Sequence, residues 1–221
     1  MSAYDAGFIT LDKQFLTIGI NGIAEAAEAK GIVVGNNQEY KNFVSGLLKV
    51  IFDANKEGVK KYGYKFNTEC VPAESLGVKN SDWDKKAGYK VNRDCYNSYF
   101  FLVEDEDCCA MDKFSLHGDE IVKYLDGGSA LHLNLDHHPT QEGYRTYFQV
   151  AAIAGCNYWT VNVKNTICNT CGHIAKETFQ ECPKCASKDI DYGTRVIGYL
   201  KRISNFSKSR QKEAGARVYH K

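Results

Sequence analysis

The chain has 221 residues, of which 43% are hydrophobic and 25% charged, and its net charge is only +1. This length and apolar content predict one large domain, or one domain with a small appendage, and argue against intrinsic disorder. The near-neutral balance provides no overall field that would attract nucleic acid or a membrane surface. No stretch reaches the roughly 18 to 20 apolar residues that span a bilayer, and no apolar leader follows Met1. We therefore expect no membrane partner and an intracellular protein, whose nine cysteines are reduced thiols or metal ligands.

The N-terminal part of the chain alternates strand and helix patterns. Residues 15–20 form a short apolar run typical of a strand, and the Ala/Glu-rich residues 22–30 predict a helix ended by Gly31. Residues 38–61 predict a second helix. Five apolar side chains recur along it at helical spacing and are expected to face the core: Phe43, Leu47, Val50, Ile51 and Ala54.

The middle of the chain is more irregular. Residues 66–71 predict a strand, and residues 72–75 a loop or a helix start, because Pro72 suits a first helical turn. The polar residues 83–93 predict a loop, and the aromatic residues 96–103 predict a strand. The acidic run that follows at 104–107 is expected to be solvated.

The pattern returns to alternation further on. Residues 120–125 predict a short helix, residues 130–135 a strand, residues 139–154 a helix, and residues 158–163 a strand. Strands that alternate with helices indicate an α/β fold with parallel pairing.

Two Cys-x-x-Cys turns, Cys168 with Cys171 and Cys182 with Cys185, are separated by ten residues. Four thiolates complete the tetrahedron that a structural Zn²⁺ prefers and leave no open position for chemistry. Two redox dithiols or a disulfide pair are the main alternative, and an iron–sulfur cluster is a lesser one. His173 adjoins the first turn, but four cysteines already fill the coordination sphere.

A hexapeptide, Arg-Val-Ile-Gly-Tyr-Leu at residues 195–200, follows the cysteines closely. A radical on a backbone α-carbon favours glycine, because no side chain then opposes a planar centre. Together with five further segments, the hexapeptide resembles the class III (anaerobic) ribonucleoside-triphosphate reductases, which are glycyl radical enzymes. Those segments are residues 17–22, 67–74, 93–98, 131–136 and 155–160.

The resemblance runs along nearly the whole chain but covers only the C-terminal portion of the much longer reductases. It implies the C-terminal half of a ten-stranded α/β barrel, at residues 1–163. A small four-cysteine zinc ribbon at residues 164–190 and a glycyl radical loop with a basic tail at residues 191–221 would follow. It also implies the cytoplasm of an anaerobic or facultative cell, with the chain encoded by that cell or by a virus that infects it.

The resemblance further implies that Gly198 carries the radical. In the family, a separate iron–sulfur activase cleaves S-adenosylmethionine, and the deoxyadenosyl radical abstracts hydrogen from the glycine. The radical then passes to a cysteine, whose thiyl removes the 3′ hydrogen of a ribonucleoside triphosphate. None of the nine cysteines occupies the thiyl position, so we expect an N-terminal reductase polypeptide to supply it.

Residues near the predicted 66–71 strand resemble the family's approach to the substrate. A helix that begins near Ala73 would direct backbone donors at a triphosphate. The substrate-binding candidates are Asn67, Glu69, Ala73, Glu74 and Ser75. The carboxylates of Glu69 and Glu74 would contact ribose hydroxyls or cap the helix.

Other polar clusters are weaker candidates. His132 and Asp136 would share one face of a strand, but His137 and His138 point oppositely, which favours a solvated strand end over a metal site. The remaining cysteines are expected to be structural, buried or exposed thiols. They are Cys70, Cys95, Cys108, Cys109 and Cys156.

Two other functions fit parts of the pattern. One is a small glycyl-radical protein that docks on a damaged reductase and restores its radical. The other is a zinc-ribbon protein whose basic tail, at residues 193–221, binds nucleic acid. For the tail itself a solvated surface is favoured over contact with phosphates. An isolated half-barrel would expose strand edges, so we expect self-association or poor solubility without the partner.

Overall fold

The computed structural model describes residues 2–70, 75–195 and 200–220. Three of the predicted site residues, Ala73, Glu74 and Gly198, lie outside these ranges. In the described ranges, no helix is long and apolar enough to cross a membrane.

Parallel strands form the first part of the chain. The order β1-β2-β3 makes one sheet, and β4 pairs with β5 in another. Only Ala130 separates β3 from β4, so one chain segment links the two sheets. The strands are β1 (Phe15–Ile20), β2 (Lys65–Cys70), β3 (Gly128–Ser129), β4 (Leu131–Leu135) and β5 (Trp159–Val163). Four of the five strands predicted in this region, at 15–20, 66–71, 130–135 and 158–163, are confirmed with their parallel pairing, and their described ends agree within one residue.

Eight helices are described, together with short 3₁₀ turns at Leu11–Lys13 and Ile203–Asn205. They are α1 (Ser2–Asp5), α2 (Ile23–Ala29), α3 (Gln38–Tyr62), α4 (Leu76–Lys86), α5 (Ala110–Leu116), α6 (Asp119–Val122), α7 (Gln141–Ala154) and α8 (Lys208–Ala216). The predicted helices at 22–30, 38–61, 120–125 and 139–154 are confirmed as α2, α3, α6 and α7.

The helix boundaries follow from capping chemistry. The Asn37 side chain accepts a hydrogen bond from the Tyr40 backbone N–H at the start of α3, and Gly63 ends that helix at φ 72°. At α7, the Thr140 side chain accepts from the Gly143 N–H, so the helix begins after Thr140 and not at Pro139. These are the positions where a short polar side chain and a left-handed glycine are favourable.

The predicted core face of α3 is wrong in part. Leu47, Val50 and Ala54 are exposed, whereas Phe43 and Ile51 are half-buried and pack against the core. The helix carries two apolar stripes at helical spacing, and periodicity cannot choose between them. The neighbouring stripe is the buried one and consists of Tyr40, Val44 and Leu48, with the polar Asn55 buried at its end.

The segment 96–103 is buried but is not a strand, so that prediction is wrong. Its aromatic side chains pack inward, with the Tyr99 and Phe101 rings stacked at 5.1 Å. Side chains satisfy its backbone: Asn97 Oδ1 accepts from the Val103 N–H at 3.2 Å, and Glu25 Oε1 accepts from the Asn97 N–H at 2.9 Å. Burial of apolar rings therefore does not require a β-ladder here. The predicted loop at 83–93 is also wrong at its start, because α4 continues to Lys86.

A single large apolar core connects the parallel strands with α3, α5 and α7. Phe114, Leu131 and Leu133 have no exposed surface. The Phe114 ring meets Trp159 edge to face, with ring centroids 5.2 Å apart. All five residues of β4 are buried, which is typical of a strand covered on both faces.

The C-terminal part forms a separate antiparallel sheet in the order β7-β6-β8-β9. Its strands are β6 (Asn165–Cys168), β7 (Ile174–Ala175), β8 (Ile190–Arg195) and β9 (Leu200–Arg202). After β9, α8 and residues 217–220 run back to the parallel strands, where His220 bridges to Leu135.

Candidate metal centre and adjoining hairpin

The four predicted cysteine ligands converge on one point. The ligand atoms of Cys168, Cys171, Cys182 and Cys185 all lie within 4.8 Å of one another, and in the described ranges this is the only such group of His, Cys, Asp or Glu. Cys168 Sγ lies 3.7 Å from Cys185 Sγ, and Cys171 Sγ lies 3.7 Å from Cys182 Sγ. Zn–S bonds of about 2.3 Å in a tetrahedron place the sulfurs about 3.8 Å apart. The donor set therefore fits a four-coordinate zinc ion.

The two cysteine turns share a backbone design. The Cys168 N–H donates to the His173 carbonyl at 2.9 Å, and the Cys182 N–H donates to the Ser187 carbonyl at 2.8 Å. The residue after each second cysteine is left-handed, Gly172 at φ 72° and Ala186 at φ 56°. This conformation turns the chain sharply, so that both thiols of a turn face the same point.

Backbone donors also tune one thiol. The Cys171 N–H donates to Cys168 Sγ at 3.4 Å. This hydrogen bond is the main reason that the pKa of Cys168 is lowered to about 6. A low pKa favours the thiolate, which is the form that binds a metal.

The strand after the cysteine cluster leads into a hairpin. β8 and β9 pair antiparallel, with Arg195 opposite Leu200. Four residues connect Arg195 with Leu200. Gly198 is one of these four and lies outside the described residues. The structure thus describes the base of this connection, which we call the hairpin stem: residues 193–195 and 200–202.

A buried amide pair anchors the stem to the parallel strands. Asn134 on β4 and Asn162 on β5 are paired in register, and Asn162 Nδ2 donates to Asn134 Oδ1 at 2.7 Å. Asn162 Nδ2 also donates to Thr194 Oγ1 at 3.0 Å, and Asn162 Oδ1 accepts from the Arg195 N–H at 3.0 Å. Because Asn134, Asn162 and Thr194 are nearly fully buried, losing one partner would leave an unsatisfied polar group.

The basic tail is not simply a solvated surface, which corrects the favoured prediction. Arg210 and Arg217 are both buried, and each is paired with Glu213 of α8. Arg217 lies between Glu213 and the hairpin stem, and its Nη1 donates to the Arg195 carbonyl at 3.0 Å. Lys208 and Lys212 are exposed, as predicted.

The predicted substrate residues are only partly brought together. Ser75 is the exposed residue immediately before α4, whereas Asn67 and Glu69 are half-buried on β2. A cavity of about 340 Å³ opens beside Ser75 and does not include Asn67 or Glu69 in its lining. Its lining includes three basic residues, Lys79, Lys201 and Arg210.

The remaining cysteines are free thiols. Cys70 at the end of β2 donates from Sγ to the Ser98 carbonyl at 2.9 Å, and burial raises its pKa to about 12. Burial likewise raises the pKa of Cys95 and of Cys156 to about 11. Cys108 is buried and Cys109 is exposed. Thiols with raised pKa are poor nucleophiles at neutral pH, consistent with the expected structural role.

Sequence reasoning missed a buried imidazole. His117, after α5, has no exposed surface, and its Nδ1 lies 2.9 Å from Ser129 Oγ. Burial lowers its pKa to about 3, so the ring is neutral. A lone histidine after a short helix carries no sequence signal for burial.

Comparison with known proteins decides the family. A family model described as anaerobic ribonucleoside-triphosphate reductase matches residues 4–220. The chain belongs to this family. The resemblance noted from its motifs is therefore confirmed.

Solved structures agree with the family assignment. One, described as an anaerobic ribonucleotide reductase, is 27% identical with a TM-score of 0.84, and the match covers 99% of this chain and 36% of that one. The anaerobic ribonucleotide reductase from Thermotoga maritima in complex with dATP and CTP is 28% identical with a TM-score of 0.80, over 96% and 35% of the two chains. A structure of that reductase with glycerol in the active site matches similarly, with a TM-score of 0.81. No curated protein sequence matches the chain significantly.

The matched region is only part of each solved reductase. The chain spans about a third of the length of the solved reductases it matches. It shares their mixed α/β fold and belongs to a family of oxidoreductases that act on ribonucleotides.

Proposed function

We propose that this chain is the C-terminal part of an oxygen-sensitive anaerobic ribonucleoside-triphosphate reductase and that it stores a glycyl radical at Gly198. The observation that carries the proposal is the β8–β9 hairpin. Its four-residue connection contains Gly198, and its stem is anchored to the parallel strands through Asn162. A residue that stores a radical has to occupy the same position in the active site each time it reacts. A buried hydrogen-bonded anchor of this kind fixes the position of the hairpin.

The chemistry follows that of glycyl radical enzymes. A separate activase with an iron–sulfur cluster donates one electron to S-adenosylmethionine, which gives methionine and a 5′-deoxyadenosyl radical. That radical takes one hydrogen atom from Gly198, which gives 5′-deoxyadenosine and the glycyl radical. In the assembled enzyme the glycyl radical takes a hydrogen atom from a cysteine, and the thiyl so formed abstracts the 3′ hydrogen of the ribose.

The thiyl cysteine and the rest of the barrel are assigned to an N-terminal reductase polypeptide. β1 pairs with β2 on one side, and in the described ranges no strand pairs with its other edge. Phe15, Leu16 and Ile18 on this strand are 57%, 42% and 40% exposed. An apolar strand with an open edge needs a partner, and the remaining two thirds of a reductase would supply it. We therefore propose that residues 1–163 are half of a ten-stranded barrel.

The substrate is proposed to be a ribonucleoside triphosphate whose phosphates bind at the start of α4. The N-terminus of a helix offers backbone donors to an anion. Lys79 and Lys201 line the cavity beside Ser75 and supply positive charge, whereas Arg210, which also lines it, is paired with Glu213. Asn67, Glu69, Ala73 and Glu74 remain proposed contacts for the rest of the nucleotide.

Residues 164–190 are proposed to bind a structural zinc ion through the four cysteines. Zinc would cross-link the two turns that precede β8 and so fix the direction in which the hairpin leaves the module. With all four positions taken by sulfur, the ion has no role in the reaction itself. Residues 191–221 then form the radical loop and its C-terminal extension. An oxygen-sensitive nucleotide reductase of this kind is expected in the cytoplasm.

An anaerobic electron paramagnetic resonance experiment tests the radical assignment. The chain is incubated with activase, S-adenosylmethionine, reductant and the candidate N-terminal polypeptide, beside a Gly198→Ala variant. We expect a doublet, split by the one remaining α-hydrogen, only in the protein with Gly198. No signal in an assembled, zinc-loaded complex with active activase would reject the proposal.

A further inference from the structure

Both backbone groups of Arg195 are bound by side chains from distant parts of the chain. Its N–H donates to Asn162 Oδ1 at 3.0 Å, and its carbonyl accepts from Arg217 Nη1 at 3.0 Å. Arg195 is the last described residue before the connection that contains Gly198. The hairpin stem is therefore hydrogen-bonded to β5 through the Arg195 N–H and to the C-terminal segment through the Arg195 carbonyl.

Arg217 is placed for this contact by a buried ion pair. Its side chain is 4% exposed, and Nε and Nη2 donate to the two oxygens of Glu213 at 2.8 and 3.0 Å. Arg210 Nη1 donates to the same carboxylate at 3.3 Å. A bidentate pair fixes the plane of the guanidinium, so Nη1 is left pointing at the Arg195 carbonyl.

The segment that carries Arg217 is itself attached to the parallel-strand region. We call residues 207–220 the C-terminal strap. The Val218 N–H donates to the Val103 carbonyl at 2.8 Å, and the His220 N–H donates to the Asn134 carbonyl at 3.1 Å. The His220 carbonyl accepts from the Asp136 N–H at 2.9 Å, and His220 Nε2 lies 2.6 Å from Lys113 Nζ. The strap thus ends as a short parallel addition to β4.

A second side chain of the strap reaches the stem. Tyr219 Oη lies 3.1 Å from Thr194 Oγ1, which is itself bonded to Asn162. Two consecutive stem residues, Thr194 and Arg195, are therefore bound by the strap through two independent contacts. Neither contact passes through the four-cysteine cluster.

We propose that Arg217 is a positioning residue that holds the hairpin stem against β5, and that its release from the Arg195 carbonyl frees residues 193–195 and 200–202 to leave β5 when the activase binds. The role given to the movement rests on the proposed function; the grip on the stem does not. The contact is suited to reversible release because, between the described residues of the strap and Arg195, the contact is one charge-assisted hydrogen bond. The Glu213 pair keeps the guanidinium bound when that hydrogen bond is broken.

Backbone amide hydrogen exchange tests the grip directly in the zinc-loaded chain. Arg217→Gln should raise the exchange rate of the stem amides by at least about tenfold, because a buried bond to a charged donor is lost. Arg217→Lys, which retains the charge and one donor, should restore part of the protection. Lys212→Gln is the matched control: Lys212 is exposed on the same helix and pairs with Asp94 at 2.6 Å, away from the stem.

The outcomes separate a local grip from general damage. Faster exchange confined to residues 193–195 and 200–202 and to the strap supports the proposal, whereas stem exchange equal to that of Lys212→Gln overturns it. If Arg217→Gln fails to fold, Arg217→Lys decides, because it keeps the positive charge beside Glu213 but lacks the fork that pairs with that carboxylate and reaches the Arg195 carbonyl at the same time. A severalfold faster exchange of the stem amides than in the unsubstituted chain then supports the grip, and no change there overturns it.

A second readout tests the movement. With activase, Arg217→Gln should form the glycyl radical faster than the unsubstituted protein, while nucleotide reduction in the assembled enzyme falls. A general defect would lower both rates and would overturn the positioning role. If the unsubstituted protein forms no radical, the proposed function fails, but the exchange experiment still decides whether Arg217 holds the stem.

Discussion

The parallel-strand region and the C-terminal region are held together by different forces. The first has a continuous apolar core, with Phe114, Leu131 and Leu133 fully buried. In the second, the residues that the structure describes form one small apolar cluster, Phe206 and Ala214 with Ile203 against them. In place of a larger core it has four converging thiols and the Arg210–Glu213–Arg217 group, and its Thr194 and Arg195 are bound by the buried amide of Asn162 on β5. Apolar burial is non-directional and tolerates little movement of a packed core, whereas polar and metal contacts are directional and can be broken singly.

This difference matters for the hairpin stem, which we propose leaves β5 and returns to it. A hairpin stem buried in the apolar core could leave only at the cost of opening that core. A stem fixed by a few hydrogen bonds beside a metal-linked module can leave and return while the core stays intact. The first two predictions perturb one region and ask whether the other responds, and the third perturbs the core by acid.

Metal removal is expected to have the largest effect. Structural zinc contributes about 10 to 16 kcal/mol of apparent binding free energy in small zinc peptides. Cys182→Ser, at a buried ligand position, should abolish stoichiometric zinc binding. Residues 164–206 should then lose protection from hydrogen exchange, while the parallel-strand core keeps most of it. Simultaneous loss of protection in both regions would contradict the separation.

A core substitution should act the other way. Phe114→Ala removes a fully buried ring that packs against Trp159 and should lower the free energy of unfolding by about 3 to 5 kcal/mol. Urea unfolding measures the loss. Zinc content, measured on the folded fraction, should remain at one ion per chain. Loss of zinc in the folded protein would show that the module depends on the core.

Acid should weaken the core through His117. Its pKa is lowered to about 3 by burial, so the folded state holds the ring neutral while the unfolded state takes up a proton below about pH 6.5. The stability that depends on the neutral ring is fully present above about pH 6.5 and is lost as the pH falls toward 3. The expected slope for one group is about 1.4 kcal/mol per pH unit.

The control for this prediction is His117→Asn, which cannot titrate in this range. Its free energy of unfolding should depend less steeply on pH between 6 and 4 than that of the unsubstituted chain. Equal slopes would show that other groups dominate acid unfolding.

The smallest expected effect concerns the two cysteine turns. Ala186 and Gly172 occupy equivalent left-handed positions, and a Cβ there costs roughly 1 to 2 kcal/mol before the entropy of glycine is counted. Ala186→Gly should therefore stabilise the metal-bound module by less than about 1 kcal/mol, and Gly172→Ala should destabilise it by a similar amount. Competition with a chelator measures both. A Cβ at Gly172 would meet nothing within 4 Å, so a large effect there would contradict a purely backbone cause.

The sequence predicts the regular elements well where the pattern has one solution. Four parallel strands and the long helices follow from apolar runs, caps and glycines such as Gly63. The converging cysteines follow from their spacing, because a Cys-x-x-Cys turn brings two thiols to one side. The sequence does not predict which face of α3 is buried, since two apolar stripes run along this helix. The burial of 96–103 without a ladder depends on Asn97 and Glu25, which are distant in sequence.

The C-terminal strap shows a different limit. A basic tail predicts solvent exposure on average, and only Glu213 in register with Arg210 and Arg217 reveals a buried ion pair. The contact of Arg217 with Arg195 joins residues that are 22 positions apart, and no local sequence pattern predicts it. The role of Gly198 stays a prediction that depends on the family and on the hairpin around it.

The most direct test of the central claim is oxygen-dependent scission of the chain. After anaerobic incubation with activase, S-adenosylmethionine, reductant and the N-terminal polypeptide, the sample is exposed to air and its intact masses are measured. A backbone glycyl radical should react with oxygen and cut this chain at Gly198, giving a long fragment and a short C-terminal one, with neither in Gly198→Ala. Cleavage at another glycine, or an uncut chain in a complex that reduces nucleotides, would contradict the assignment of the radical to Gly198.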